Sequence, residues 1–217
     1  MLTRISSVKD KIQEGNFPEA LDGVIYAVFS LVDIRDPYTV GHQQRVGELA
    51  WSIAKQIGLS DSQIRDVYVA GCLHDIGKVS VPLNILNKPS KLNISEFDII
   101  KKHCQVGHDI LKKNHFPQRV NEAILQHHER LDGSGYPNRL FGQEIMIEAR
   151  ILSVADVVDA MTSHRPYRPA LGLKAALSEI RRWRGILYDA CIVNACLKLL
   201  GNYAPVYGEL ISAAVIA

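Results

Sequence analysis

Hydrophobic side chains recur at steps of three and four residues along most of the chain, which is the spacing of helices that bury one face. One apolar stripe covers residues 21–32, and a second covers residues 46–57, where Gly58 can end the helix in a left-handed turn. Ser60 and Gln63 have the spacing of a capping box that opens a third helix. Further helical patterns cover residues 95–113, 118–128, 145–162, 171–183 and 189–200.

Strand patterns are almost absent, and the helical patterns are separated by proline- and glycine-containing breaks. The segment Asp132–Pro137 carries turn residues that regular helix does not accommodate. No internal repeat or low-complexity linker separates two halves of the chain. We therefore predict an all-α fold, a single helical bundle over residues 18–217, preceded by a polar extension or connecting helix over residues 1–17.

The composition of the chain argues against two classes of partner, nucleic acid polymers and membranes. The chain has 217 residues, of which 47% are hydrophobic and 22% charged, and its net charge is +2. This balance predicts no strong attraction to a nucleic acid polymer or to a membrane surface. No apolar run reaches the roughly 20 residues of a membrane span, and the N-terminus lacks the apolar centre of a signal peptide. We expect a cytoplasmic protein.

Four cysteines are present without the CxxC spacing of common metal and redox sites: Cys72, Cys104, Cys191 and Cys196. Their apolar or helical surroundings favour buried free thiols over disulfides or sulfur ligands.

The candidate chemistry lies in histidines and aspartates that fall at helix ends or inside apolar helices. Imidazole and carboxylate together suit divalent metals such as iron, manganese, zinc or nickel, and one carboxylate can bridge two ions. A pair of ions can activate water and hold both the attacking and the leaving oxygen of a phosphoryl displacement. The candidate ligands are His42, His74, Asp75, His103, His127, His128 and Asp156.

Each candidate taken alone has a simpler interpretation. An isolated His42 is more often a hydrogen-bonded structural residue, and His74-Asp75 fits an exposed helix end as well as a ligand pair. Asp156 lies in an otherwise nearly apolar helix, where a buried carboxylate requires a cation. The seven together favour a metal site over seven unrelated structural roles.

Two segments, 71–78 and 127–137, closely resemble the two motifs that give HD-GYP domains their name. The first contains Gly71-Cys72-Leu73-His74-Asp75, and the second reads His-His-Glu-Arg-Leu-Asp-Gly-Ser-Gly-Tyr-Pro. The similarity covers about residues 20–200. It also includes the segments 35–42, 86–89, 154–163 and 165–168.

The resemblance implies hydrolysis of cyclic di-GMP to pGpG, or onward to GMP. It implies one metal held by His42, His74, Asp75 and Asp156, and a second held by His103, His127 and His128, with Asp75 bridging. Lys78 lies one turn beyond His74 and would reach the scissile phosphate or an activated water, so Lys78 and Asp75 are the predicted catalytic residues. Arg165 and Arg168 resemble the family's clamp on the substrate phosphate, a role that guanidinium forks suit.

One position departs from the family pattern. Some members carry a glutamate four residues before the first histidine, where it helps to hold a third metal, whereas this chain has Tyr38. A phenol is a poor ligand at neutral pH because its pKa is about 10. We therefore predict two ions, with iron or manganese favoured and zinc or nickel as alternatives.

Two other functions fit parts of the pattern. A non-catalytic module that binds the dinucleotide or docks a signalling protein is the first, although such modules typically lose ligands and all seven are present here. A nucleotidase acting on mononucleotides explains His74-Asp75 but not residues 127–137. The expected partners are a cyclic dinucleotide and, as open alternatives, signalling proteins or a second copy of the chain in a homodimer.

Overall fold

A computed structural model describes residues 40–164 and 169–201, together with residues 27, 28, 30, 32, 34 and 35. Helices fill most of these ranges, and the described residues contain no strand, so the all-α prediction is confirmed. No described helix combines the length and apolarity needed to cross a bilayer. The α-helices from residue 42 onward are α1 (His42–Gln56), α2 (Asp61–Leu73), α3 (Leu83–Leu86), α4 (Ile94–Lys101), α5 (His103–Lys113), α6 (Gln118–Gln126), α7 (Ile147–Thr162), α8 (Leu173–Arg182) and α9 (Ala190–Gly201).

The predicted boundary between α1 and α2 is confirmed. Gly58 has a φ of +78°, the left-handed conformation that favours glycine after a helix. The Ser60 side chain accepts a hydrogen bond from the Gln63 backbone N–H, and the Gln63 side chain accepts one from the Ser60 N–H. This capping box satisfies two backbone donors that the first turn of α2 would otherwise leave unpaired.

Four local features differ from the predicted pattern. The segment 95–113 forms two helices, α4 and α5, because the chain turns at Lys102, which remains near helical dihedral angles (φ −65°, ψ −16°). The spacing of apolar residues continues through Lys102, so it does not reveal a helix break with so small a change in backbone angles. Tight 3₁₀ turns at Ile76–Ser80 and Gly142–Glu144, and the four-residue helix α3, were also outside the prediction because segments this short have no period to read.

The core lies where α1 and α7 pack against α2. Gly47 and Gly71 let α1 and α2 approach closely, since a Cβ added to Gly71 would lie 2.6 Å from Gly47 Cα. Helix α7 is almost fully enclosed, with Ile151, Leu152 and Val158 all inaccessible to solvent. The buried face of α7 therefore lies in the centre of the bundle.

Several predictions fall on residues that the structure leaves undescribed. Residues 1–17, Tyr38, Arg165 and Arg168 lie outside the described ranges. Among the cysteines, Cys72, Cys104 and Cys196 are buried free thiols as predicted. The prediction is wrong for Cys191, which is exposed because it lies in the first turn of α9, away from the apolar face of that helix.

Candidate metal centre

The seven predicted ligands come from five helices or helix ends that meet inside the bundle. His42 opens α1, His103 opens α5, and Asp156 lies within α7. His74-Asp75 follows the last residue of α2, and His127-His128 follows the last residue of α6. Five of the side chains are at most 2% exposed: His42, His74, Asp75, His103 and His127.

The carboxylate of Asp75 lies between two groups of histidines. Its Oδ2 is 3.5 Å from His74 Nε2 and 3.8 Å from His42 Nε2, whereas its Oδ1 is 3.6 Å from His103 Nε2. The two oxygens of one side chain thus face opposite sides of the cluster, which is the arrangement that a bridging carboxylate requires.

On the Oδ2 side, Asp156 completes the first group. Its Oδ1 lies 3.3 Å from His42 Nε2 and 3.9 Å from His74 Nε2. On the Oδ1 side, His103 Nε2 and His127 Nε2 are 3.4 Å apart, and the His128 ring lies 4.1 Å from the ring of His127. The side chains thus lie in two groups, with Asp75 between them.

Backbone contacts fix which ring nitrogen faces the cluster. Nδ1 of His74, His103 and His127 lies 2.7, 2.7 and 2.6 Å from the carbonyl oxygen three residues earlier. Because a carbonyl only accepts, each Nδ1 carries the hydrogen and donates it. Each neutral ring therefore presents the lone pair of Nε2 to the centre, the form in which histidine ligates metals.

The electrostatic environment keeps these rings neutral. Burial lowers the pKa of His74 and of His103, and burial with the neighbouring His74 and His103 rings lowers the pKa of His127 to about 3. Burial alone would raise the pKa of Asp75, but the Lys78 ammonium and the surrounding histidines hold it well below its usual range. The site therefore offers neutral imidazoles and ionised carboxylates at neutral pH.

These residues fit a divalent metal site. His74 Nε2 is buried without a hydrogen-bond partner, and a buried nitrogen lone pair of this kind is costly unless it has a donor or a cation to face. Imidazole nitrogens and carboxylate oxygens are the donors that iron, manganese, zinc and nickel accept. The cluster therefore offers the donor atoms that such ions require, and these atoms face a common centre.

Lys78 and Asp75 are brought together by the 3₁₀ turn Ile76–Ser80. The Lys78 Nζ donates to Asp75 Oδ2 over 2.6 Å. This turn packs directly on the start of α5, since a Cβ added to Gly77 would collide with the His103 carbonyl and lie 2.7 Å from Gly107 N. Only glycine allows the approach that brings Asp75 to His103.

The segment after His128 is braced by a buried carboxylate. Glu129 is 1% exposed and accepts hydrogen bonds from Asn138 N at 2.7 Å and from Leu140 N at 3.1 Å. A Cβ added to Gly135 would lie 2.6 Å from the His128 carbonyl oxygen, so the loop folds tightly against the ligand pair. The Tyr136 ring lies 4.7 Å from the His128 ring at a tilt of 32°.

Asp159 and Cys104 also lie at the cluster, although the sequence marked neither as a ligand. Asp159 Oδ2 accepts a hydrogen bond from His42 Nδ1 at 2.7 Å, and Arg45 Nε donates to its Oδ1 at 2.7 Å. Its position three residues after Asp156 places both carboxylates on one helix face, a signal that could have identified it. Cys104 Sγ lies 3.6 Å from His103 Nε2, and no spacing motif marked it.

The other three histidines, His108, His115 and His164, are not part of the cluster. His108 is buried, and its Nδ1 lies 3.0 Å from Asp109 Oδ1, whereas His115 and His164 are exposed.

Comparison with known proteins agrees with the fold and shows the family. Residues 27–192 match the family model described as HD domain. The chain is 39% identical to the cyclic di-GMP phosphodiesterase response regulator RpfG of Xanthomonas campestris, over 84% of this chain and 49% of that protein. It is 41% identical to a cyclic di-GMP phosphodiesterase of Thermotoga maritima, over 88% of this chain and 52% of that protein.

Two further relatives come from Vibrio cholerae. The 3′3′-cGAMP-specific phosphodiesterase 1 is 38% identical over 75% of this chain and 38% of its own length. The solved structure of a cyclic GMP-AMP-specific phosphodiesterase superposes with a TM-score of 0.64 at 20% identity, over 82% of this chain and 48% of that one. The chain spans about half the length of the first two curated relatives. By its family match and its two motifs, the chain belongs to the HD domain family, and within it to the HD-GYP type.

Proposed function

We propose that the chain is a metal-dependent phosphodiesterase that opens a phosphodiester bond of a cyclic dinucleotide. The observation that carries this proposal is the Asp75 carboxylate, whose two oxygens face the histidines of two separate groups at 3.5–3.8 Å. Relatives that are 39 and 41% identical are named cyclic di-GMP phosphodiesterases, and this supports cyclic di-GMP as the substrate.

The proposed ligand sets are His42, His74, Asp75 and Asp156 for one ion, and His103, His127 and His128 for the other, with Asp75 shared. Two bound ions would supply an activated water and electrostatic stabilisation of the phosphoryl group. Iron or manganese is favoured, and zinc or nickel fits the same donors. Two ions rather than three remains a prediction from Tyr38.

Side chains of the protein would supply the positive charge that holds and orients the substrate phosphates. In the proposed reaction a water oxygen bonds to phosphorus, the bond from phosphorus to one ribose 3′ oxygen breaks, and that oxygen takes up a proton. Lys78, whose side chain is 14% exposed at the edge of the cluster, is the proposed cation beside the reacting phosphate. Arg165 and Arg168 are the proposed clamp on the substrate phosphates. The product is then pGpG.

A second substrate is favoured by a specific finding, since a relative 38% identical is named a 3′3′-cGAMP-specific phosphodiesterase. The test is turnover of cyclic di-GMP and 3′3′-cGAMP by purified protein with Mn²⁺ or anaerobic Fe²⁺, with chromatography of the products. We expect linear pGpG from cyclic di-GMP. Activity that survives His74→Ala combined with Asp75→Ala would overturn the assignment, and tight binding without turnover across several metals would support a non-catalytic module instead.

A further inference from the structure

A cleft of about 630 Å³ opens beside the metal-ligand cluster, between the end of α4 and the loop that follows His128. His128 lines the cleft and also belongs to the second ligand group, so the two sites are contiguous. The cleft lining includes aromatic side chains and three cations, Lys101, Arg130 and Arg139, and no carboxylate side chain lines it among the described residues. A ligand for this cleft must therefore combine a flat apolar surface with negative charge.

The aromatic wall is formed by Phe97 and Tyr136. Their rings meet edge to face with centroids 6.1 Å apart, and Lys101 Nζ lies 4.8 Å from the Phe97 centroid and 5.9 Å from the Tyr136 centroid. Phe97 is 42% exposed, so part of its ring is open to a ligand. Nucleobases of any identity can stack on such rings, because every base has a flat aromatic face.

Lys101 is able to turn towards an anion. Its Nζ contacts Asp98 Oδ1 at 2.8 Å, but both side chains are at least one third exposed. Exposed ion pairs of this kind contribute little to stability, so exchanging Asp98 for a phosphate costs little. The Arg130 guanidinium is held by Ser153 Oγ and the Tyr188 ring, and it adds fixed positive charge to the lining of the cleft.

Arg139 is held in a conformation that few non-glycine residues adopt, with φ at +55°. The two backbone N–H groups on either side of it, those of Asn138 and Leu140, both donate to the buried Glu129 carboxylate. The buried Glu129 carboxylate thus holds the backbone of Arg139 in this strained conformation at the edge of the cleft. Strain retained in this way is typical of residues that contact a ligand.

The geometry points to this cleft as the subsite for the second nucleotide of the cyclic dinucleotide, the one whose phosphate is not being cleaved. Its base would stack on Phe97 and Tyr136, and its phosphate would face Lys101 and Arg139. A cyclic dinucleotide carries two bases and two phosphates, so a phosphate at the cluster places the other nucleotide in the adjoining space. The inference rests on the proposed function for the identity of the ligand.

The test is equilibrium binding of a hydrolysis-resistant phosphorothioate analogue of cyclic di-GMP to the Mn²⁺-loaded chain, which measures affinity without turnover. We expect Phe97→Ala, Lys101→Ala and Arg139→Ala each to raise Kd at least about fivefold, the lower end of the effect of removing one stacking or charged contact. Phe97→Tyr, which keeps the ring, is expected to retain the wild-type affinity. The matched control is Lys102→Ala, which removes an exposed lysine next to Lys101 that does not line the cleft.

Turnover with Mn²⁺ distinguishes this inference from the proposed function. The expected pattern is a higher KM for the three alanine variants with kcat changed by less than about threefold, because the contacts hold the substrate away from the reacting phosphate. Equal Kd values for Lys101→Ala and Lys102→Ala, or a lower kcat at constant KM, would overturn the subsite. A wild-type chain that binds with the expected variant pattern but hydrolyses nothing would overturn the proposed function and leave the subsite standing.

Discussion

His42 Nδ1 lies 2.7 Å from Asp159 Oδ2, and Arg45 holds the other oxygen of the same carboxylate at 2.7 Å. Burial alone would raise the pKa of Asp159, but hydrogen bonds from His42 and Arg45 lower it to about 2, so the group is ionised at neutral pH. An ionised acceptor keeps the hydrogen of His42 on Nδ1 and directs Nε2 towards Asp75 and Asp156. Asp159 therefore orients a predicted metal ligand, while its own oxygens are engaged by His42 and Arg45.

Asp159→Asn is expected to weaken metal binding about 10- to 100-fold, the usual effect of removing such an orienting partner. The measurement is the metal dissociation constant from competition with a chelator of known affinity. Asp189→Asn is the control, since Asp189 also pairs with an arginine, Arg150 at 2.8 Å, but contacts no predicted ligand.

The same substitution in a His42→Ala background should cost no further metal affinity, because the ligand that Asp159 orients is already gone. An undiminished loss in that background would show that Asp159 acts through something other than His42.

Lys78→Met is expected to lower kcat by about 10²- to 10³-fold, the range found when one preorganised group that stabilises the transition state is removed. Metal content should stay at the wild-type value, since Lys78 is not a proposed ligand. Lys88→Met, which removes a partly exposed lysine paired with Glu96 at 2.7 Å, should leave kcat unchanged. A Lys78→Met variant with wild-type turnover would show that Lys78 has no role in the reaction.

Gly77→Ala is expected to destabilise the fold by about 2 kcal/mol or more, because the added methyl group collides with the start of α5. Urea denaturation measures this loss. Gly201→Ala is the comparison, since a Cβ there meets no atom within 4 Å. Equal unfolding free energies for the two variants would mean that the turn does not need its close contact with His103.

Removal of metal should lower the unfolding temperature of the wild-type chain. A ligand that binds only the folded state stabilises it by about 2.7 kcal/mol at 100 times its Kd. The combined His74→Ala and Asp75→Ala variant should unfold at the same temperature with and without Mn²⁺. A metal-dependent shift of wild-type size in that variant would place the bound ions elsewhere.

The sequence predicted the helices and the composition of the cluster because both depend on features that repeat or stand out. Apolar periodicity located α1 and α2, and Ser60 with Gln63 marked their boundary. Polar side chains inside apolar segments, such as Asp156, marked the candidate ligands. The division of these ligands into two sets around Asp75 came from the family resemblance, and the structure now gives the distances on each side.

Other features depend on three-dimensional contacts that no local pattern encodes. The turn at Lys102 changes the backbone too little to disturb the apolar period. The proximity of Asp159 to His42 and of Cys104 to His103 depends on the packing of the bundle and is not marked by any local sequence pattern. The strained Arg139 becomes visible only with its backbone angle and the two hydrogen bonds to Glu129.

The central claim is that Asp75 bridges two metal ions, and its most direct test is anomalous scattering from crystals of the metal-loaded chain together with elemental analysis. We predict two ions per chain, about 3.5–4 Å apart, with one on each side of the Asp75 carboxylate. Three fully occupied ions, or a single ion that leaves either the His42–His74 group or the His103–His127 group without metal, would contradict it.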